Sequence, residues 1–412
     1  MKIPTLYAAI FLLGIFAVSC GQDPIFFYIS TETVPKQSRI GGTPTNMVVF
    51  EREYPIDPDD PDYGFKKVPI LYVASDWIHW YATSTSGIPQ WDLWEYPIPQ
   101  PIGKVIALAV AGERLYALCR IGDHENTLLQ YIERRGNEWK SVQGDYLSIQ
   151  SIYADDSEDP QLFAGALINP LAIGNIAYAL LYLDDTDDTL KPLKVGTAVL
   201  TGAACRDKIY YLCTLGAGIF QVSEDTLKDT LNETVVTQLE NGNAMFMNMI
   251  KLKNESSTII AVDRYGILYE VQDNAFLPMC YNNTDSVITT GKLSMSAIAL
   301  WENTNRNMKK LVIGIQDGLY SSSYTNGYVE FDLTSDGSFD KSSLRREAYT
   351  LQTVDDPYRY MTSLGKQPIN HLFQAPREID SEMTFFASTQ TAGLWSYRNR
   401  LYNGGWQWNA EE

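Results

Sequence analysis

The tetrapeptide Leu115-Tyr116-Ala117-Leu118 returns as Leu162-Phe163-Ala164-Gly165 and again as Ile209-Tyr210-Tyr211-Leu212, each time after 47 residues. A fixed step of roughly 40–50 residues, each carrying a short apolar run, is the period of a propeller or another repeat array. The step extends in both directions. Ile70-Leu71-Tyr72-Val73 lies 45 residues upstream, and Ile259-Ile260-Ala261-Val262 and Leu311-Val312-Ile313-Gly314 follow at steps of 50 and 52. Phe385-Phe386-Ala387-Ser388 closes the series after a step of 74, which makes seven copies.

Each copy carries companions. Gly218-Ile219-Phe220, Gly266-Ile267-Leu268-Tyr269, Gly318-Leu319-Tyr320 and Gly393-Leu394-Trp395 follow their apolar runs at near-constant spacing. Glycine supplies the positive φ of a tight turn, and the apolar-aromatic pair opens the next strand. Gly136…Trp139, Gly327-Tyr328 and Gly404-Gly405-Trp406 repeat a further turn, read as leading into an outer strand. Apolar runs such as Val105 to Ala109, Met249 to Leu252 and Met295 to Leu300 precede the copies. Four short strands per period make a propeller blade. The predicted fold is therefore all-β, a seven-bladed β-propeller with four short antiparallel strands per blade. Eight blades are the alternative, because the long step holds the polar stretch 334–367, read as an inserted loop rather than a degenerate blade. With 26 Tyr, 15 Phe and 9 Trp, the composition suits many strands better than long helices.

The N-terminus reads as an address. Lys2 precedes an apolar run, Ile3 to Val18, that is short for a membrane span of about 20 residues. It ends at Ala17-Val18-Ser19-Cys20, which resembles a bacterial lipobox with Ala17 in the place of the usual Leu. The resemblance implies diacylation of Cys20 and cleavage before it. Residues 1–19 are then a lipoprotein signal peptide, 20–24 a lipidated tether and 25–412 one propeller domain with an insertion at about 334–367. Phe27-Tyr28-Ile29-Ser30 resembles Phe220-Gln221-Val222-Ser223, so the mature chain is expected to open with a strand that pairs into the last blade and hides its edge. The expected location is the cell envelope, lipid-anchored and facing the periplasm or the cell surface.

The formal charge of −18 leaves no basic stripe for phosphates, so nucleic acid is not an expected partner. The acidic clusters at Asp57 to Asp60, Asp155-Asp156 and Asp184 to Asp188 fall between apolar runs and read as solvated loops. Cys119, Cys205, Cys213 and Cys280 are expected to be buried free thiols, and a turn at Arg206-Asp207-Lys208 would set Cys205 opposite a residue near Ile209.

The lipobox, the aromatic strand after it and the Gly-apolar-aromatic hairpins together resemble the propeller-type lipoproteins of spirochaetes. That resemblance covers most of the mature chain and implies an outer-surface or periplasmic propeller. A weaker one runs to Asp-box propellers such as sialidases, on Ser323-Tyr324-Thr325-Asn326-Gly327 with Phe331, where Thr325 replaces the Asp of the box.

Catalytic chemistry is sparse in the sequence. There are three His, His79, His124 and His371, and no HExxH, CxxC, phosphate loop or GxSxG elbow. Gly216-Ala217-Gly218 sits at a hairpin, with no helix after it to hold a dinucleotide. Asp332, Asp336, Ser338 and Asp340 around Gly337 do not follow the order of an EF-hand loop and read as a polar turn. No catalytic residue, metal or cofactor is assigned. The densest aromatic region is Trp77, Trp80, Trp91 and Trp94, which either pack between the first two blades or bind sugar or a protein partner. Asp263-Arg264-Tyr265 is the most suggestive charged set, with a plain turn as its other reading. The expected function is a non-enzymatic binding or scaffold surface for another envelope protein or external ligand, anchored to the bilayer through acylated Cys20. The alternatives are an exported glycan hydrolase, with carboxylates and Arg at the channel mouth, and a purely structural surface protein.

Overall fold

The computed structural model describes residues 40, 43–57, 60–122, 126–169, 176–228, 236–239, 244–282, 284–303, 308–316, 327–342, 346–347, 368–390, 392–400 and 405–411. Cys20, the signal peptide, the tether and the expected strand at Phe27 lie outside these residues, as do Gly318-Leu319-Tyr320 and Ser323 to Asn326.

The described strands form seven separate sheets in chain order, six of four strands and one of five. All seven apolar copies occupy the same place, the second strand of a sheet. Ile70 to Val73 lies in Asp60–Ser75, Leu115 to Leu118 in Arg114–Arg120 and Leu162 to Gly165 in Leu162–Ile168. Ile209 to Leu212 lies in Ile209–Leu215, Ile259 to Val262 in Ile259–Asp263, Leu311 to Gly314 in Met308–Gln316 and Phe385 to Ser388 in Phe385–Thr389. These strands are apolar on both sides because each sheet is sandwiched between two others.

Seven apolar clusters fill the seven gaps, each shared by neighbouring sheets. Tyr116 and Ile152 meet between sheets two and three, and Phe163 and Leu212 between three and four. The last cluster joins the two ends of the series, with Met47, Leu71 and Tyr81 of sheet one against Ala375, Phe386 and Leu394 of sheet seven. The sheets therefore close into a propeller-like ring. Within the described residues the closure is side-chain packing plus hydrogen bonds such as Trp91 Nε1 to Glu411 Oε2 at 2.6 Å. All four described strands of sheet seven come from the C-terminal part of the chain.

The innermost strands run in the same direction. Gln374, at the end of its strand, exchanges two hydrogen bonds with the backbone of Glu302, also at a strand end. Towards the other end a polar belt links neighbours. Asn46 bonds both backbone groups of Leu108, Ser151 donates to Leu200 O and Thr201 to Phe246 O. Asn248 donates to Ser296 O, Ser296 to Asn370 O and Asn370 to Pro44 O. The step from sheet two to sheet three is made from a third strand instead, where Thr127 Oγ1 accepts the Ile149 amide at 2.6 Å, while Ile106 and Ala107 make an apolar contact. A β-bulge accompanies the belt in the innermost strands of sheets two to seven. Bulges re-aim side chains, which here lets polar residues reach across to the next sheet.

Several local expectations change. Gly327-Tyr328 opens the third strand of sheet six, Gly327–Asp332, and not an outer strand; the outer strand is Arg346–Glu347, inside the stretch 334–367. Sheet three gains a fifth strand, Gln143–Gly144, which pairs parallel to Thr189 and Leu190. The turn at Asp207-Lys208 has positive φ at both residues and sets Cys205 opposite Tyr210, as a two-residue hairpin of this type requires. All four described cysteines are free, but Cys280 is only half-buried. Burial pushes the Cys119 and Cys213 thiols up to about 12, so neither is a ready nucleophile. Asp155 also departs from the solvated-loop reading. It is buried and closes its own hairpin by accepting the Ser157 and Gln161 amides, each at 2.7 Å.

Candidate functional site

The ring has two ends. Innermost strands start at one, called here the entry end, which also carries the hairpins between second and third strands. The exit end carries the other two hairpins of each sheet. Fourteen large apolar side chains are exposed among the described residues, and nine of them lie at the entry end. Trp77, Tyr265 and Leu215 stand at or beside hairpins there, and Ile176 and Tyr178 begin a third strand. Ile102, Leu147 and Met245 lead into innermost strands, and Val195 ends a fourth strand. Exposed apolar side chains are thus concentrated at the entry end.

The exit end is charged instead. A groove of about 650 Å³ there is lined by Glu53, Glu113, Arg114, Glu133, Arg134 and Arg135, among others. Its cations are already engaged. Arg134 pairs with Glu51 at 3.0 Å, Arg135 with Glu53 at 2.5 Å and Arg114 with Asp188. Nearby, Lys191 holds the Asp184 carboxyl down at about 2.

Trp77 follows the turn residue Asp76, whose φ is 48°, and is 57% exposed. Its indole N–H donates to His79 Nε2 at 2.9 Å, and His79 Nδ1 lies 2.9 Å from Asp92 Oδ2. Nε2 accepts from the indole, so the ring proton is assigned to Nδ1, facing Asp92. Behind this chain a cavity of about 530 Å³ is bounded by Trp80, Pro101 and Gly103, among others. Gln100 fixes one wall by bonding both backbone groups of Ile78.

The four tryptophans do not form one surface. Trp80 packs between sheets one and two and donates to Leu93 O at 3.0 Å. Trp91 packs into the closure between sheets seven and one, with its ring centroid 4.9 Å from that of Tyr81. Trp77 and Trp94 are exposed, but Glu95 beside Trp94 bonds Thr85 at a hairpin of the opposite end. Alternation along a strand and the positive φ of Asp92 send these neighbours apart.

Arg264 and Tyr265 form the tip of a hairpin at the entry end, and Tyr265 is 62% exposed. Asp263 is buried beneath them, where it accepts the Ile267 amide at 2.8 Å and faces Tyr269 OH at 3.4 Å; burial raises its carboxyl. Its role is to hold the turn. The tip itself is braced, because Arg264 N donates to Met245 O and its carbonyl accepts from Ser294 N.

The axial cavity, about 630 Å³, is lined by innermost strands of all seven sheets. Its described lining holds one carboxylate, Asp155, and neither Arg nor Lys. Arg264 is not part of it. The Asp332 to Asp340 turn is occupied by its own chain, since Asp336 accepts from Ser338 at 2.7 Å and Asp332 pairs with Lys310.

His371 lines the same cavity, with Nδ1 shut off from solvent and from any partner. Burial holds its imidazole down at about 4 against an ordinary 6.5. The unfolded chain therefore takes up a proton that the folded one resists. Stability is full above about pH 6.5 and falls as the pH drops towards 4, by at most roughly 2–3 kcal/mol. His371→Leu is expected to remove this part of the pH dependence in urea unfolding at pH 7 and pH 4.5. Parallel behaviour of variant and wild type would contradict it.

No family model matches the sequence, and no curated protein matches it. Among solved structures, the chain is similar to the computationally designed Ika8 protein at 9% identity, covering 89% of this chain and 98% of that one, with a TM-score of 0.43. Saccharomyces cerevisiae Sqt1 is similar at 11% identity, covering 92% and 87%, with a TM-score of 0.46. The extracellular domain of BT4673 from B. thetaiotaomicron is similar at 14% identity, covering 80% of this chain and 43% of that one, with a TM-score of 0.39.

Proposed function

We propose that the chain is a lipid-anchored extracytoplasmic protein whose seven sheets are the blades of a seven-bladed propeller, and that the entry end is a non-enzymatic docking surface for another protein of the envelope. The observation that carries the reading is the concentration of exposed apolar side chains at that end, with Trp77 and Tyr265 as aromatic anchors. Both anchors are held on braced hairpins, so little ordering is needed when a partner arrives. Met47, the first residue of sheet one, starts at the same end. Acylation of Cys20 by more than one chain would give stable anchoring where a single chain is marginal.

The anchor is tested by fatty-acid labelling and membrane fractionation of the wild type and Cys20→Ser. The wild type is expected to incorporate labelled palmitate and sediment with membranes; the variant is expected to do neither. Membrane retention of an unlabelled Cys20→Ser protein would remove the anchoring part of the proposal and leave the docking part standing.

A further inference from the structure

One charged cluster is used by neither the ring nor the entry end. Lys310, in the second strand of sheet six, lies directly opposite Asp332 in the third strand, with Glu330 two residues away on the same face. Lys310 Nζ is 2.9 Å from Glu330 Oε2 and 3.0 Å from Asp332 Oδ1. The Lys310 and Glu330 side chains are 4% and 2% exposed, and that of Asp332 is 38% exposed. Strand alternation puts them on the side of Val312 and Tyr328, which pack with Trp301, Phe385 and Trp408 between sheets six and seven. A nearly water-free lysine in an aromatic wall is costly, because each buried ion carries a desolvation penalty of several kcal/mol.

We propose that Lys310 and Asp332 become joined by an intramolecular isopeptide bond, with Glu330 as the proton carrier. The amine nitrogen already sits against the carboxyl group it would attack, so the encounter is intramolecular and oriented. Glu330 takes one proton from Nζ and passes it to an Asp332 carboxyl oxygen. The neutral Nζ attacks Asp332 Cγ, and Glu330 carries a second proton from nitrogen to the departing hydroxyl. One C–N bond forms, one C–O bond breaks and one water leaves. Glu330 ends as it began, and no oxidant, metal or cofactor is consumed. The product replaces two charges by an amide that ties two strands of sheet six together covalently, in a chain whose described cysteines are all free.

The test is peptide mass spectrometry on the purified, folded full-length protein. Trypsin cannot cleave after an acylated lysine, and no other Lys or Arg lies between Lys310 and Lys341. The expected product is the peptide 310–341, uncleaved at Lys310 and lighter by one water, with fragment ions placing the loss at Lys310 and Asp332. Asp332→Asn would release ammonia instead and give a peptide of the same mass as the wild type. Glu330→Gln and Lys310→Arg are expected to yield no cross-linked peptide. Quantitative cleavage after Lys310 in the wild type would overturn the proposal. So would a water loss that maps to Asp317-Gly318 or Asp336-Gly337, where an aspartate can cyclise onto its own backbone.

Discussion

Gly266→Ala is expected to lower the stability of the protein by about 3–5 kcal/mol, read as a shift of the urea midpoint. Two costs combine. Gly266 has a φ of +87°, a conformation that side chains with a Cβ rarely adopt. An added Cβ would also stand 2.0 Å from Thr290 Oγ1 and 2.4 Å from Lys292 O. The hydroxyl can rotate away, but the carbonyl belongs to a backbone braced by Thr290 N donating to Gly266 O. Gly87→Ala separates the two costs. Its φ is +81° and nothing lies within 4 Å of the added carbon, so only the backbone term of about 1 kcal/mol applies. Equal effects at the two positions would show that the close approach at Gly266 is not real.

Phe386→Ala is expected to cost about 3–5 kcal/mol, because it empties the seam where the ring closes. Phe386 is fully buried, and its ring meets Tyr81 and Trp91 edge-on at 5.6 and 5.8 Å. Those partners are contributed by sheet one, nearly 300 residues away along the chain. The loss should therefore be accompanied by faster amide exchange in Phe385–Thr389 and in Trp77–Thr83 together. Exchange that rises in sheet seven alone would mean that the two ends of the ring are not packed on one another.

The repeat was legible because a strand buried on both faces must be apolar throughout, and seven such strands at a near-fixed step leave little choice of architecture. The polar belt was not legible. Ser151, Thr201, Asn248 and Ser296 recur at steps close to the repeat period, yet single polar residues in half-apolar strands look like ordinary solvent-facing positions. Only the bulges turn them across the seam. Gly327-Tyr328 opens a third strand where the sequence suggests an outer one, since a glycine followed by an aromatic opens a third or a fourth strand equally well. The aromatic cluster was legible as a list but not as a surface. Trp80 and Trp91 turn into two different seams, while Trp77 stays outside with His79 and Asp92 behind it. The entry end is not legible as a surface for a related reason. Its apolar residues sit at the ends of strands in several sheets, so each one reads in sequence as part of its own strand. Lys310 is 20 residues from Glu330 and 22 from Asp332 in sequence, and the three look like surface charges until strand pairing brings them together.

The docking proposal is tested most directly by photo-crosslinking in the intact envelope. A photoreactive residue replaces Trp77 or Tyr265 at the entry end, and Ile88 or Lys208 at the exit end, in the full-length chain. The account predicts one discrete cross-linked partner from both entry positions and none from the exit positions. Equal labelling from the two ends, or silence at Trp77 and Tyr265 while the exit positions react, would contradict it.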